Sequence, residues 1–320
     1  MTKTIAITGG TGSQGGGVAN VMLKTPGWKV RVITRNASSE KAKALVAQGA
    51  EVVEANLDDE DSLAKAFESC NAIFGVTNFW EHLFTGKSQA ESGEAEEEQA
   101  MKLARAAAKT TTLEHYVWST LPSSKKLTNN KIAVPHLDYK ANVDDRIKTE
   151  LPELAMKTTF LFFGYYPSNI ASFPLIKPFE YPGAYGKWIQ MLPTPAESTI
   201  PVSGDMIVTP GIWVRQILAL PEKTLGKYSI VAPEILSFGE MMKIWSEVTG
   251  RPGVYVQCSK EAYEEIWGLP GNEMAMQLKF GEEITDWMAN FDWVNMEELG
   301  IKKEEVPGCK MALEGLKTLL

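Results

Sequence analysis

The chain has 320 residues, a hydrophobic share of 44%, a formal net charge of -8 and a sequence pI of about 5.2. That length allows one large α/β domain plus a smaller appended part, and the negative field disfavours direct nucleic-acid and anionic-membrane partners. Cys70, Cys258 and Cys309 have neither metal-ligand spacing nor a disulfide framework, so reduced thiols in a cytoplasmic protein and no metal site are expected. With a strand expected within the first few residues, no signal peptide is expected, and no apolar run is long enough to span a bilayer.

The first element is a short apolar strand at residues 4–7 that runs into glycines and then into a helical pattern at 18–24. Gly10-Thr11-Gly12-Ser13-Gln14-Gly15 fits G-x-G-x-x-G, and Thr8-Gly9-x-x-Gly12-x-x-Gly15 is an overlapping reading of the same loop. Glycines here serve a tight turn, close approach of backbone to a pyrophosphate, and packing of helix on strand. The helix that follows presents its unpaired N–H groups to phosphate. Gly9, Thr11, Gly12, Ser13, Gln14 and Gly15 are therefore the first candidates for dinucleotide contact.

A second strand at 29–33 ends at Thr34-Arg35-Asn36. An acid just past this strand would bond the 2′-hydroxyl of NAD, whereas an arginine meets a 2′-phosphate, so Arg35 argues for NADP(H); the competing reading is a solvated loop arginine. A helix at 39–48, a strand at 51–54, the turn Asn56-Leu57-Asp58-Asp59, a helix at 61–69 and a strand at 72–77 follow. Asn56 and Leu57 could flank the adenine, although turn chemistry also selects Asn and Asp. Alternation of short apolar strands with helices implies a doubly wound parallel sheet whose ligand lies beyond the strand ends. Thr77, Asn78 and Phe79 become cofactor neighbours.

Acids at 91–98 open the next helix and are expected to complement its dipole and face water. A strand at 115–120 follows, with Ser119 and Thr120 at its end, then a polar loop from 122 to 135 and a helix that opens with His136-Leu137-Asp138-Tyr139-Lys140 and runs to about residue 150.

These features together resemble the NmrA-like family: the glycine loop, Arg35, Val76-Thr77-Asn78-Phe79-Trp80, and a His-x-x-x-Lys at 136 to 140. Phe162-Phe163-Gly164-Tyr165-Tyr166-Pro167-Ser168-Asn169 is similar to the family's segment lining the nicotinamide end, which adds Phe163, Tyr165 and Asn169 to the cofactor set. The resemblance implies an atypical short-chain dehydrogenase/reductase fold that binds NADP(H). It also implies two kinds of member: reductases of quinone and natural-product metabolism, and non-catalytic NADP(H) sensors that regulate transcription through protein partners, for which a nuclear location is open. On this reading residues 1–155 form a Rossmann-type domain, with a strand at 157–163 returning to its sheet, and 164–320 a smaller substrate or partner region.

The wider superfamily uses a tyrosine four residues before its lysine, and no tyrosine here has a lysine at that spacing. His136 stands in that place, and its spacing from Lys140 puts both on one helical face. Lys140 is expected to bond the nicotinamide ribose. His136, whose unperturbed pKa is about 6.5, could donate a proton or merely line the loop. Tyr139, Tyr165 and Tyr166 are the other candidate donors.

From residue 151 onward prolines punctuate short strands and helices. A helix is expected from 203 toward 220, and short strands at 227–231 and 253–257 flank a helix at 238–249. Aromatic residues between 173 and 191 suit either a pocket for an apolar ligand or ordinary core. The methionine and aromatic stripe at 262–291 is expected to be core. The expectation is an NADPH-dependent reductase delivering hydride to a bulky apolar small molecule such as a conjugated iminium, enone or quinone. The alternative is the sensor.

Overall fold

The computed structural model describes residues 2–320. Its strands are β1 (Lys3–Ile7), β2 (Trp28–Thr34), β3 (Glu51–Glu54), β4 (Ala72–Gly75), β5 (His115–Thr120), β6 (Thr158–Phe163), β7 (Phe179–Glu180), β8 (Trp188–Leu192), β9 (Thr199–Val202), β10 (Tyr228–Val231), β11 (Glu234–Ser237) and β12 (Gly253–Gln257). Seven make one sheet in the order β10-β6-β5-β4-β1-β2-β3, every pairing parallel. The order reverses at β1, whose neighbours are β2 and β4, so the crevice beyond their carboxyl ends is where such a sheet takes its ligand.

Buried on both faces, β4, β5 and β6 carry near-continuous apolar runs, as a covered parallel sheet requires. Side chains alternate between two cores. Tyr116, Trp118, Phe160 and Phe162 pack under the helices Gln89–Ala108 and Pro135–Glu150, while Val117, Leu161 and Phe163 pack with the helices Ser13–Met22 and Thr209–Ala219. The last two helices touch at glycines: a methyl group on Gly211 would stand 2.5 Å from the carbonyl oxygen of Gly17.

Most elements stand close to their sequence-based bounds, and the differences have physical reasons. The segment at 227–231 does not flank the helix at 238–249; β10 adds to β6 as the seventh strand of the central sheet, with the 292–294 stretch along its outer edge. The helix expected from 203 begins at Thr209. Asp205 instead makes a turn, its carboxylate accepting the Ile207 N–H at 2.9 Å and its carbonyl the Thr209 N–H at 2.8 Å. Tyr263, Met274, Phe280, Trp287 and Met288 are core, as the stripe implied. The third core, below the two small sheets β11-β9 and β12-β8-β7, also holds Tyr165, Phe238 and Trp245.

Candidate functional site

The turn after β1 puts Gly9 at φ +61°, a conformation that suits glycine, and its carbonyl accepts the Gly12 N–H at 2.8 Å. The helix Ser13–Met22 then starts with Gly12 as a cap that has no side chain to occupy the first N–H groups, which leaves an anion seat at its end. Gly15 cannot be larger, because a methyl there would lie 2.4 Å from the carbonyl of Thr8. Thr8 Oγ1 ties the turn to the end of β4 by accepting the Val76 N–H at 2.8 Å.

A groove of about 590 Å³ runs over this turn. Gly9, Thr11, Gly12, Ser13, Gln14 and Gly15 line its floor. Arg35 at the end of β2 and Asn56 with Leu57 after β3 form its far half, while Thr77 and Asn78 after β4 form its near half. All eleven sequence candidates named here therefore share one groove. Arg35 is exposed and ion-paired with Glu81, an association weak enough at such exposure for a phosphate to displace. Sequence reasoning missed three other groove residues. Lys41, with its Nζ 3.5 Å from the Thr11 carbonyl, sits at the start of the helix Glu40–Ala47, which Ser39 caps. Glu81 is the second, and Gln99 is the third, donating to Asp58 Oδ1 at 3.0 Å and paired with His82 Nε2 at 3.1 Å.

The groove opens inward to a cavity of about 260 Å³, and Gln14, Thr77, Asn78 and Tyr166 line both. Phe79, Ser119, Phe163, Tyr165 and Asn169 line the cavity alone, together with His136 and Lys140. Phe79, Trp80, Phe173, Met274 and Trp287 make its walls apolar.

Lys140 is buried. Its Nζ donates to Thr77 Oγ1 at 2.9 Å, lies 2.9 Å from Glu96 Oε1 and sits 5.2 Å above the Trp118 ring. Thr77 Oγ1 in turn donates to Glu96 Oε1 at 2.9 Å. Glu96 corrects the reading of the acidic run as a solvated face: it is 1% exposed, because the helix Gln89–Ala108 turns this residue onto the end of β4. Its Oε2 is buried and, among the described residues, has no partner; the same holds for the carbonyl oxygen of the Gln14 side chain, so both are unsatisfied acceptors closed off from the cavity surface.

His136 is buried, its ring between Phe79 and Trp80 at centroid distances of 5.7 and 5.4 Å. Its Nδ1 is 2.6 Å from Oε1 of Glu273, a residue that sequence reasoning left in an unremarkable helix. The three tyrosines differ. Tyr139 does not reach the cavity: one position from Lys140 turns it about 100° around the helix axis, and its ring lies against Gly93 of the neighbouring helix. The expectation of Tyr139 as a donor at the nicotinamide end is thereby corrected. Tyr166 accepts the Gln14 Nε2 at 2.5 Å, and burial pushes its phenol up to about 12. The Tyr165 hydroxyl is buried without a partner, which pushes it well above the usual phenol range.

A sequence model of the NmrA-like family matches residues 1–306. An NmrA-like family domain-containing protein of Dictyostelium discoideum is 29% identical over 287 residues, 88% of each chain. The NmrA-like family domain-containing oxidoreductase hkm9 of Aspergillus hancockii is 28% identical over 294 residues, 88% of this chain and 82% of that one. Among solved structures, NmrA, a negative transcriptional regulator, in complex with NADP has a TM-score of 0.77 at 19% identity, over 99% of this chain and 96% of that one, a likeness of fold. With the family's sequence pattern running through the glycine turn, the 136 to 140 pair and the later core alike, the chain belongs to the NmrA-like family.

Proposed function

We propose that the chain is an NADP(H)-dependent oxidoreductase that reduces a bulky apolar small molecule of the conjugated iminium, enone or quinone kind. The observation that carries this reading is the continuity of the dinucleotide groove with an aromatic cavity through Gln14, Thr77, Asn78 and Tyr166. A mostly apolar cavity with a few convergent polar groups is the usual form of a small-molecule site. The relative hkm9, an oxidoreductase by name, supports the same direction.

When bound, the coenzyme supplies the hydride. The chain's own residues do the rest. The free N–H groups at the start of the helix Ser13–Met22 would hold the pyrophosphate, and Arg35 with Lys41 would hold the 2′-phosphate. Lys140, held by Thr77 and Glu96 in the cavity wall, would bond a hydroxyl of the nearer ribose. His136, as the imidazolium, would give from Nε2 the proton that the product oxygen or nitrogen takes up and return to the neutral ring, and the aromatic walls would orient the substrate and exclude water.

The test mixes purified protein with NADPH and panels of quinones, enones and imines and follows loss of NADPH absorbance. Turnover of one class is the expected result. Tight NADPH binding with no turnover across all panels would favour a regulator, and no heat of NADPH binding would remove the reading altogether.

A further inference from the structure

We propose that Glu273 is a positioning residue for His136. It keeps Nδ1 as the nitrogen that donates to the carboxylate and leaves Nε2 open to the inner cavity: in the neutral ring Nε2 accepts from the hydroxyl of the reduced substrate, and in the imidazolium Nε2 gives its proton to the oxygen of the carbonyl substrate. This rests on the oxidoreductase reading above and adds to it the ligand group that faces His136.

The argument begins with backbone geometry. Pro135 opens the helix Pro135–Glu150, so the N–H of His136 is one of the first-turn donors that no residue of the same helix can satisfy. Glu273 Oε1 accepts it at 2.8 Å and stands 2.6 Å from Nδ1 of the same residue. A backbone N–H can only donate, so Oε1 is an acceptor, and the proton between it and Nδ1 belongs to the ring. Nε2 of the neutral ring is then left with its lone pair. Among the described residues it has no hydrogen-bond partner, and it is not a buried orphan atom, which leaves it facing the cavity that His136 lines.

Glu273 is itself held. It is wholly buried, and its Oε2 accepts Gln89 Nε2 at 2.5 Å, while Gln89 Nε2 also reaches Asn272 Oδ1 at 3.1 Å. The long helix Lys260–Glu283 is interrupted at Gly268, with φ +62° and ψ -143°, and Pro270 restarts it, so Glu273 lies in the first turn of the second half. An acid is favoured at such a start by the unpaired N–H groups there. The break thus delivers one carboxylate to a histidine 137 positions earlier, with Phe79 and Trp80 fixing the ring's remaining freedom.

Orientation of a catalytic imidazole by a buried carboxylate sets which nitrogen works, and reversing the tautomer costs orders of magnitude in rate. A carboxylate that merely capped the helix would have no such consequence. The experiment uses the three histidines of the chain, His82, His115 and His136. Protein labelled with ring-¹⁵N histidine is examined at alkaline pH without coenzyme, and the His136 signals are identified by their loss in His136→Gln. The expected wild-type spectrum has the proton on Nδ1. Glu273→Leu, which removes the acceptor from Nδ1, lets the proton shift to Nε2 and, with NADPH and the substrate found by the panel screen, lowers kcat by at least about tenfold with little change in KM. Glu273→Asp keeps the Nδ1 proton and recovers part of the rate.

A wild-type spectrum with the proton on Nε2 overturns the proposal, and so does an unchanged tautomer in a Glu273→Leu protein that melts normally. The wild-type measurement decides the matter even if that variant does not fold. Because it needs no turnover, failure here is separate from failure of the oxidoreductase reading.

Discussion

Lys140 Nζ lies 2.9 Å from Oε1 of Glu96, and the other oxygen of that carboxylate is buried without a partner. Removing one member of such a pair strands the other charge out of water, a change that costs about 3–5 kcal/mol. Lys140→Met and Glu96→Gln should each lower stability in urea melts, and the double variant should lose less than the sum of the two. Both should weaken NADPH binding in calorimetry. Additive losses would show that the two side chains are not coupled.

Arg35 is the groove's 2′-phosphate candidate, and its partner Glu81 offers only an exposed ion pair. Charge-assisted hydrogen bonds contribute about 1.5–3 kcal/mol each. Arg35→Asp should therefore weaken NADPH by at least about tenfold in titration while NADH changes much less, and Lys41→Ala should do the same to a smaller degree. Equal losses for the two coenzymes would remove Arg35 from this role.

The tyrosines separate by position. Tyr139→Phe should leave turnover unchanged, since the ring lies against Gly93 outside the cavity. Tyr166→Phe deletes the acceptor of the Gln14 amide at the junction of groove and cavity, leaving a second unpaired group there at a cost of about 1–3 kcal/mol. It should raise the coenzyme Kd. A loss of turnover in Tyr139→Phe alone would reverse the assignment.

Two buried groups make opposite pH contributions to stability. Burial lowers His115 from 6.5 to about 4, so the fold prefers its neutral form; that contribution is present above about pH 6.5 and is lost as the pH falls through about 4. Burial raises Asp144 from 3.8 to about 7 despite hydrogen bonds from Thr120, Tyr228 and Trp118. Its contribution is present below about pH 3.8 and is lost as the pH rises through about 7. The two nearly offset each other across pH 4–7. Relative to wild type, His115→Gln should gain stability toward acid and Asp144→Asn toward neutrality, each by about 3–4 kcal/mol across the window, as measured by urea melts at stepped pH. Parallel profiles for wild type and both variants would exclude these groups as the source.

What the chain discloses by itself is whatever depends on near neighbours. Short apolar runs between helical patterns show β1 to β6 and their helices, three glycines show the phosphate turn, and four positions of separation put His136 and Lys140 on one face. Arg35 is legible because it directly follows β2. What only packing decides is which distant groups meet: Glu96 at Lys140, Glu273 at His136, Lys41 across from Thr11, and β10 beside β6. An acid in a helical run looks the same whether its face is turned to water or to a strand end, and the angle of each helix on the sheet determines which. The same angle sends Tyr139 away from a cavity that its neighbour Lys140 enters.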